Sequence, residues 1–209
     1  MKDFNLLIAS LKEKLRYPLP GEAAQLKMAP VTRARMMELG VDLNKARKAA
    51  VLILIYTDPD IKIVLIQRQA YDGIHSNQIS FPGGKYEPAD TTLKDTALRE
   101  TCEEIGVNKG EIEVIGKLSE LYIPPSNFNV LPFVGYLAKE PSFKPDSQEV
   151  KKILRVPLSI LINETTRDLR QIETSYQQRI KVPCFMVDGH IVWGATAMII
   201  SELVDLINA

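Results

Sequence analysis

Only two cysteines, Cys102 and Cys184, occur in the 209 residues, and neither stands at metal-ligand spacing from a partner. The expectation is a pair of ordinary buried thiols in an intracellular, cytoplasmic protein rather than a disulfide or thiolate-metal framework. No apolar run reaches the ~18 residues that a membrane span requires. Lys2 and Asp3 precede a short amphipathic run with no small-residue cleavage site, so no signal peptide is expected. Net charge is also missing, since 26 Lys and Arg balance 26 Asp and Glu. Nothing therefore points to nucleic acid or a membrane surface as a partner. Histidine is scarce too: His75 and His190 stand alone, and a structural or surface role suits each better than catalysis. There is no internal repeat, no low-complexity tract and no linker long enough to divide the chain, which predicts one domain over residues 1–209.

What is present reads as an ordinary globular composition, 45% apolar and 25% charged. Phe4, Leu7, Ile8, Leu11 and Leu15 recur at helical spacing and predict a helix over 3–16, stopped by Pro18 and Pro20. Pro18-Leu19-Pro20-Gly21 is a rigid turn, and 23–40 is a mixed, Met-containing stretch. The run AAVLILIY within 47–57 predicts a strand buried on both faces, and IKIVLIQR over 61–68 its hairpin partner across Asp58-Pro59-Asp60. Further strands are expected over 111–122, 129–137, 153–156, 169–174, 180–187 and 191–193, with a short helix at 157–162. A last helix, 194–208, carries Ala197, Ile200, Ser201, Val204 and Ile207 along one stripe and packs with the first on the domain. Strands mixed with a few helices make one α/β domain.

The chemistry concentrates in Arg99-Glu100-Thr101-Cys102-Glu103-Glu104-Ile105-Gly106-Val107. Read as a helix, Glu100, Glu103 and Glu104 fall at i, i+3 and i+4 on one face, while Ala97, Leu98, Thr101 and Ile105 face a core. Like charges so placed repel one another. Either the face is simply solvated, or the carboxylates converge on a hard divalent cation, which takes oxygen ligands. Just upstream, Phe81-Pro82-Gly83-Gly84 is a sharp bend whose glycines let the backbone approach a ligand closely. Arg68 ends its strand before the loop QAYDGIHSNQIS and is either a cation for a substrate or a strand-end charge.

Gly84, then Asp90, then Arg99-Glu100, Glu103-Glu104 and Gly106-Val107 closely resemble the Nudix box, G-x5-E-x7-R-E-U-x-E-E-x-G-U, with U a bulky apolar residue. The departures are Asp90 in place of Glu, one extra residue before Arg99, and Thr101 at an apolar position. Asp90 is then either part of the site or a helix N-cap, a place that Thr92 with Asp95 also fits. Segments outside the box are similar to the coenzyme A diphosphatase branch: Pro18 to Gly21, Met28 to Pro30, His75 to Gly84, Pro125 to Phe128, Glu149-Val150, Val156 to Leu158 and Trp193 to Ala197. The branch pattern L-L-T-x-R-S-x3-R-x3-G-x3-F-P-G-G is met in part, with Arg68 in place but Gly73 where its second Arg stands and Asn77 where its Gly stands.

The resemblance implies a mixed β-sheet sandwiched between α-helices and hydrolysis of a diphosphate linked to another moiety, with Mg²⁺ or Mn²⁺ as cofactor. It implies Glu100, Glu103, Glu104 and Gly84 as metal ligands and Arg99 as an orienting partner in the catalytic set. Arg68, Ser80, Phe81 and Gly83 are the implied contacts to a coenzyme A-like nucleotide. A general base must accept a proton from water; Glu100 and Glu149 are both candidates, and Glu149 is alternatively a metal ligand from a loop. Three functions compete: a coenzyme A diphosphatase, a Nudix hydrolase of another nucleoside diphosphate derivative such as ADP-ribose, and a binding module without turnover. Intact Glu100, Glu103 and Glu104 argue against the last.

Overall fold

The computed structural model describes residues 2–33, 37, 42–70, 77–173 and 179–209. The expectations on Gly73 and His75 lie outside them. Its framework is a mixed sheet begun by β1 (Arg47–Asp58) and β2 (Asp60–Arg68), an antiparallel hairpin closed by Asp58 opposite Asp60. Beyond them come β3 (Ile79–Ser80), β4 (Gly83–Lys85), β5 (Ile112–Lys117), β6 (Leu121–Ile123), β7 (Phe128–Leu137) and β8 (Val150–Pro157). The order β3-β2-β1-β7-β5 places β1 beside β7 in parallel register, Ala50 opposite Leu131. β8 extends β2, β4 pairs with the start of β1, and β6 pairs with β7.

The period-2 alternation of β1 and β2 separates two cores. Ile53, Ile55, Ile63 and Leu65 face one, while Leu52, Leu54, Tyr56, Val64 and Ile66 face the other. The first is covered by α1 (Lys2–Lys14), through Phe4, Ile8 and Leu11, and by a C-terminal helix. The second is covered by the acidic helix, through Ala97, Leu98 and Ile105. The sheet is therefore sandwiched between helical layers, as the resemblance implied. A second sheet of β9 (Arg167–Glu173), β10 (Arg179–Val187) and β11 (His190–Trp193) joins the first core through Phe185, Val187 and Val192.

Three local expectations are corrected. The strand expected over 111–122 breaks into β5 and β6, because Leu118 turns inward and its N–H donates to the Pro132 carbonyl at 2.9 Å. The mixed stretch after the Pro18–Gly21 turn contains a short helix, α2 (Gly21–Leu26), whose Gln25 is buried. The C-terminal helix is not amphipathic. It is buried from Thr196 through Val204, polar Ser201 and Glu202 included, well beyond the expected stripe. Gln25 reaches Glu202 within it: Nε2 donates to Oε2 at 2.8 Å, and the N–H groups of Ser119 and Gly21 donate to Oε1 at 3.1 and 3.3 Å.

Candidate active site

The acidic helix, α3 (Leu93–Ile105), starts at Thr92, whose hydroxyl accepts from the Asp95 N–H while the Asp95 carboxylate accepts from the Thr92 N–H. This reciprocal capping box fixes the phase of every residue behind it. Thr92, not Asp90, is the N-cap. Gly106 ends the helix in the left-handed conformation, φ +72°.

Arg99 organises the outer face. Its Nε and Nη2 donate to the two carboxylate oxygens of Asp90, each at 2.9 Å, and its Nη1 is shared between Glu100 Oε1 at 3.1 Å and Glu103 Oε2 at 3.0 Å. The fork on Asp90 is the bidentate pairing that a planar guanidinium favours. Asp90 also accepts from the Thr96 hydroxyl and the Glu87 N–H. Hydrogen bonding to Arg99 therefore holds the Asp90 carboxyl far below the usual carboxylate range and raises Arg99. Asp90, which stands in place of the box's first Glu, is thus a buried anchor for Arg99 rather than a solvent-facing acid.

Gly83 and Gly84 bring the bend against α3. Gly83, at φ +143°, lies so close to β1 that a Cβ there would sit 2.4 Å from the Ala50 carbonyl oxygen. A Cβ on Gly84 would stand 2.4 Å from the Glu100 carboxylate carbon, so the two glycines make room for β1 on one side and Glu100 on the other. The Gly83 N–H donates to Glu104 Oε2 at 2.8 Å, and Arg68 Nη1 donates to Glu104 Oε1 at 3.1 Å. Glu104 is only 1% exposed. Burial raises its pKa to about 7 against the pull of Gly83 and Arg68, with Glu100 and Glu149 adding to the rise. Burial likewise raises Glu100, Arg99 opposes, and Glu103 and Glu149 push it further up. Glu149 is exposed on the loop before β8, with its carbonyl accepting from the Gln69 N–H at 2.8 Å.

The expected convergence of Glu100, Glu103 and Glu104 is modified accordingly. Glu104 turns inward to Gly83 and Arg68, while Glu103 lies exposed on Arg99. Among the described residues no three His, Cys, Asp or Glu side chains already stand close enough to form a cation cage. The reason is that carboxylates shielded from water take the nearest donors. Phe81 is 2% exposed and belongs to the first core, so its side chain packs rather than faces a ligand. Ser80 is half-buried, with its hydroxyl oxygen shielded and without a hydrogen-bond partner among the described residues. Arg68, expected as a substrate cation or a strand-end charge, forms an ion pair with Glu104. His190 starts β11 in the second sheet, opposite Val187.

Two contributors escaped sequence reasoning. The Thr196 hydroxyl donates to the Ile79 carbonyl at 3.0 Å, tying the Trp193–Ala197 segment to β3 and the bend that follows. The loop after β7 caps the end of α3, with the Lys144 N–H donating to the Ile105 carbonyl and the Asp146 N–H to the Glu104 carbonyl. A signal for the first was in the sequence, since Trp193–Ala197 is shared with a branch of one family although it lies far from the box.

The NUDIX domain model matches residues 46–174, more than half of the chain. The mitochondrial coenzyme A diphosphatase NUDT8 of Homo sapiens is 31% identical over 195 residues, 93% of this chain and 77% of that protein. A protein of Pectobacterium atrosepticum called uncharacterized Nudix hydrolase NudL is 35% identical over 161 residues, 77% of this chain and 83% of that one. Among solved structures, a MutT/nudix family protein from Enterococcus faecalis covers 86% of this chain and 70% of its own at a TM-score of 0.51 and 16% identity, a likeness of fold alone. No described helix is long and apolar enough to cross a membrane. The bend at Gly83-Gly84 and the acid-bearing helix behind it fall inside the matched region, and the chain belongs to the Nudix hydrolase family.

Proposed function

We propose that the chain hydrolyses the diphosphate bond of coenzyme A or acyl-coenzyme A, giving adenosine 3′,5′-bisphosphate and the corresponding phosphopantetheine. The observation that carries this reading is the similarity to the human coenzyme A diphosphatase over 93% of the chain, well beyond the box. The Thr196–Ile79 hydrogen bond supports it by giving the C-terminal segment of that similarity work at the site. So does Asn77, which stands at φ +57° where the branch pattern has Gly; Asn is the residue that best replaces Gly in the left-handed region. Gly73, in place of an Arg of the pattern, favours the second reading, a different nucleoside diphosphate derivative such as ADP-ribose.

Nudix hydrolases generally work with a divalent cation, and the residues fit one. Asp90, Glu100 and Glu103 gather about Arg99 and Glu104 about Arg68, while burial, with a smaller push from neighbouring acids, raises Glu100 and Glu104. Glu100, Glu103 and Glu104, with the Gly84 backbone, are the groups that would hold Mg²⁺ or Mn²⁺. Such a cation supplies charge neutralisation of the diphosphate and a bound water of lowered pKa. Arg99 orients Glu100 and Glu103 from Asp90. Glu100 and Glu149 are the candidates to take the proton from the attacking water, and Glu149 is the exposed one of the two.

The test is a panel of coenzyme A, acetyl-coenzyme A, dephospho-coenzyme A, ADP-ribose and a diadenosine polyphosphate, each with Mg²⁺ and Mn²⁺ and with products separated by chromatography. Adenosine 3′,5′-bisphosphate from coenzyme A as the fastest reaction is the expected result. Turnover of ADP-ribose with coenzyme A left intact would establish the second reading instead.

A further inference from the structure

The loop between β7 and β8 ends in Glu149, and its path is governed by α3. The last carbonyls of a helix have no partner within it; here the Lys144 N–H fills the Ile105 carbonyl at 2.9 Å and the Asp146 N–H the Glu104 carbonyl at 3.0 Å. Gly106 makes the approach feasible, since a Cβ there would lie 2.5 Å from the Lys144 carbonyl oxygen and 2.7 Å from the Lys144 Cβ. Phe143 anchors the start of the segment in the second core. Its ring meets Tyr56 edge-on at 5.7 Å, and the Arg155 guanidinium stands over it at 5.1 Å. From the far side, Gln69 clamps the segment at the end of β2, its N–H on the Glu149 carbonyl and its side-chain amide on the Ser147 carbonyl, both at 2.8 Å. The Asp146 carbonyl then accepts from the N–H groups of Glu149 and Val150.

An exposed glutamate at a turn has no packing of its own to fix it. Here five residues separate the partly buried ring of Phe143 from Glu149, and the backbone between them is bonded to the very turn of helix that carries Glu104. We infer that the 143–149 strap, seated by Phe143 against the second core and by its amides on the end of α3, sets where the Glu149 carboxylate stands relative to the turn of α3 that carries Glu104. Phe143 and Gly106 are thus positioning residues for the reaction. The inference rests on the reading of Glu149 as proton acceptor or loop ligand.

A double-mutant cycle tests it, with the panel substrate turned over fastest and saturating Mg²⁺. Phe143→Ala should lower kcat about tenfold with little change in KM, since misplacing a reacting group by about 1 Å costs 10- to 100-fold. Phe143→Leu, which refills most of the volume, should restore most of that loss and guards against simple failure to fold. In a Glu149→Gln background, whose own kcat is expected to be low, Phe143→Ala should add less than a twofold loss. An equal loss from Phe143→Ala in both backgrounds overturns the positioning role while leaving that of Glu149 standing. A drop in melting temperature with kcat unchanged overturns it as well. Full activity of Glu149→Gln alone would remove the reading on which the inference rests.

Discussion

Among the described residues two glutamates lie almost entirely out of water, Glu104 on α3 and Glu202 on α4, the helix Gly194–Asn208 that follows β11; α3 is otherwise polar on its outer face, and α4 is buried nearly throughout. Glu202 is met by three neutral donors, the Gln25 side chain and the N–H groups of Gly21 and Ser119. It joins the N-terminal turn and α2 to the C-terminal helix. Glu104 has one N–H and one guanidinium, and it sits beside Glu100 and within the field of Glu149. A buried carboxylate with neutral donors all round is a structural joint. One left among like charges remains poised to change its protonation or to gain a cation.

The pH dependence of stability should separate the two most. The Glu104 pKa rises from 4.5 to about 7 on folding. The folded state then binds the extra proton, so this stabilisation is complete below about pH 4.5 and is lost as pH rises through about 7. In metal-free buffer the loss amounts to ~3 kcal/mol at most, at 1.36 kcal/mol per unit. Denaturant melts at pH 5 and pH 8 should show it in the wild type and not in Glu104→Gln. Mg²⁺ at pH 8 should recover much of it in the wild type, since binding to the folded state alone stabilises it. A pH-independent melt would remove Glu104 from the poised class.

Glu103→Gln comes next. Glu103 is exposed and accepts from Arg99, so the melting temperature should hardly move. Loss of an anionic ligand at the charge-bearing site should lower kcat about 100-fold. Near-normal kcat in saturating Mg²⁺ would withdraw it from the cation set.

Much of this division could be read from the chain. The period-2 runs of β1 and β2, the capping residues Thr92 and Asp95, and the glutamates at i, i+3 and i+4 are local signals, and each produced its element. The orientation of Glu104 was not legible. Its inward turn depends on the Gly83 N–H and on Arg68, which is 36 positions away in the chain. Glu202 was invisible for the converse reason: a stripe analysis of α4 registers apolar positions, and the donors that bury Glu202 come from Ser119, Gln25 and Gly21, 83, 177 and 181 positions away. Asp90 was legible as a departure from the box but not as the anchor of Arg99, because only the folded loop brings both oxygens to the guanidinium.

Glu202→Ala reverses the pattern expected of Glu103→Gln. It strands the Gln25 amide and the Gly21 and Ser119 N–H groups, and unsatisfied buried donors should cost about 2 kcal/mol of stability. At 25 °C kcat should stay within about twofold, because the hydrogen bonds of Glu202 run to Gly21, Gln25 and Ser119 and, among the described residues, none runs to Gly83-Gly84 or α3. A large kcat loss with an unchanged melt would mean that the C-terminal helix takes part in the chemistry.

The smallest effect is a ratio, and it concerns Arg68. A strand-end cation suits the 3′-phosphate that coenzyme A carries and dephospho-coenzyme A lacks. In the fold its Nη1 instead reaches Glu104, and the side chain is 27% exposed. Removing it should therefore weaken turnover of both substrates alike, by leaving Glu104 with less opposing charge. Arg68→Ala is expected to change kcat/KM for coenzyme A and dephospho-coenzyme A by the same factor, with their ratio within about twofold of the wild type. A charge-assisted contact to the 3′-phosphate would be worth roughly 1.5–3 kcal/mol. A loss on coenzyme A tenfold greater than on its dephospho form would therefore place Arg68 on the substrate, and Glu104 would have to be held by Gly83 alone while substrate is bound.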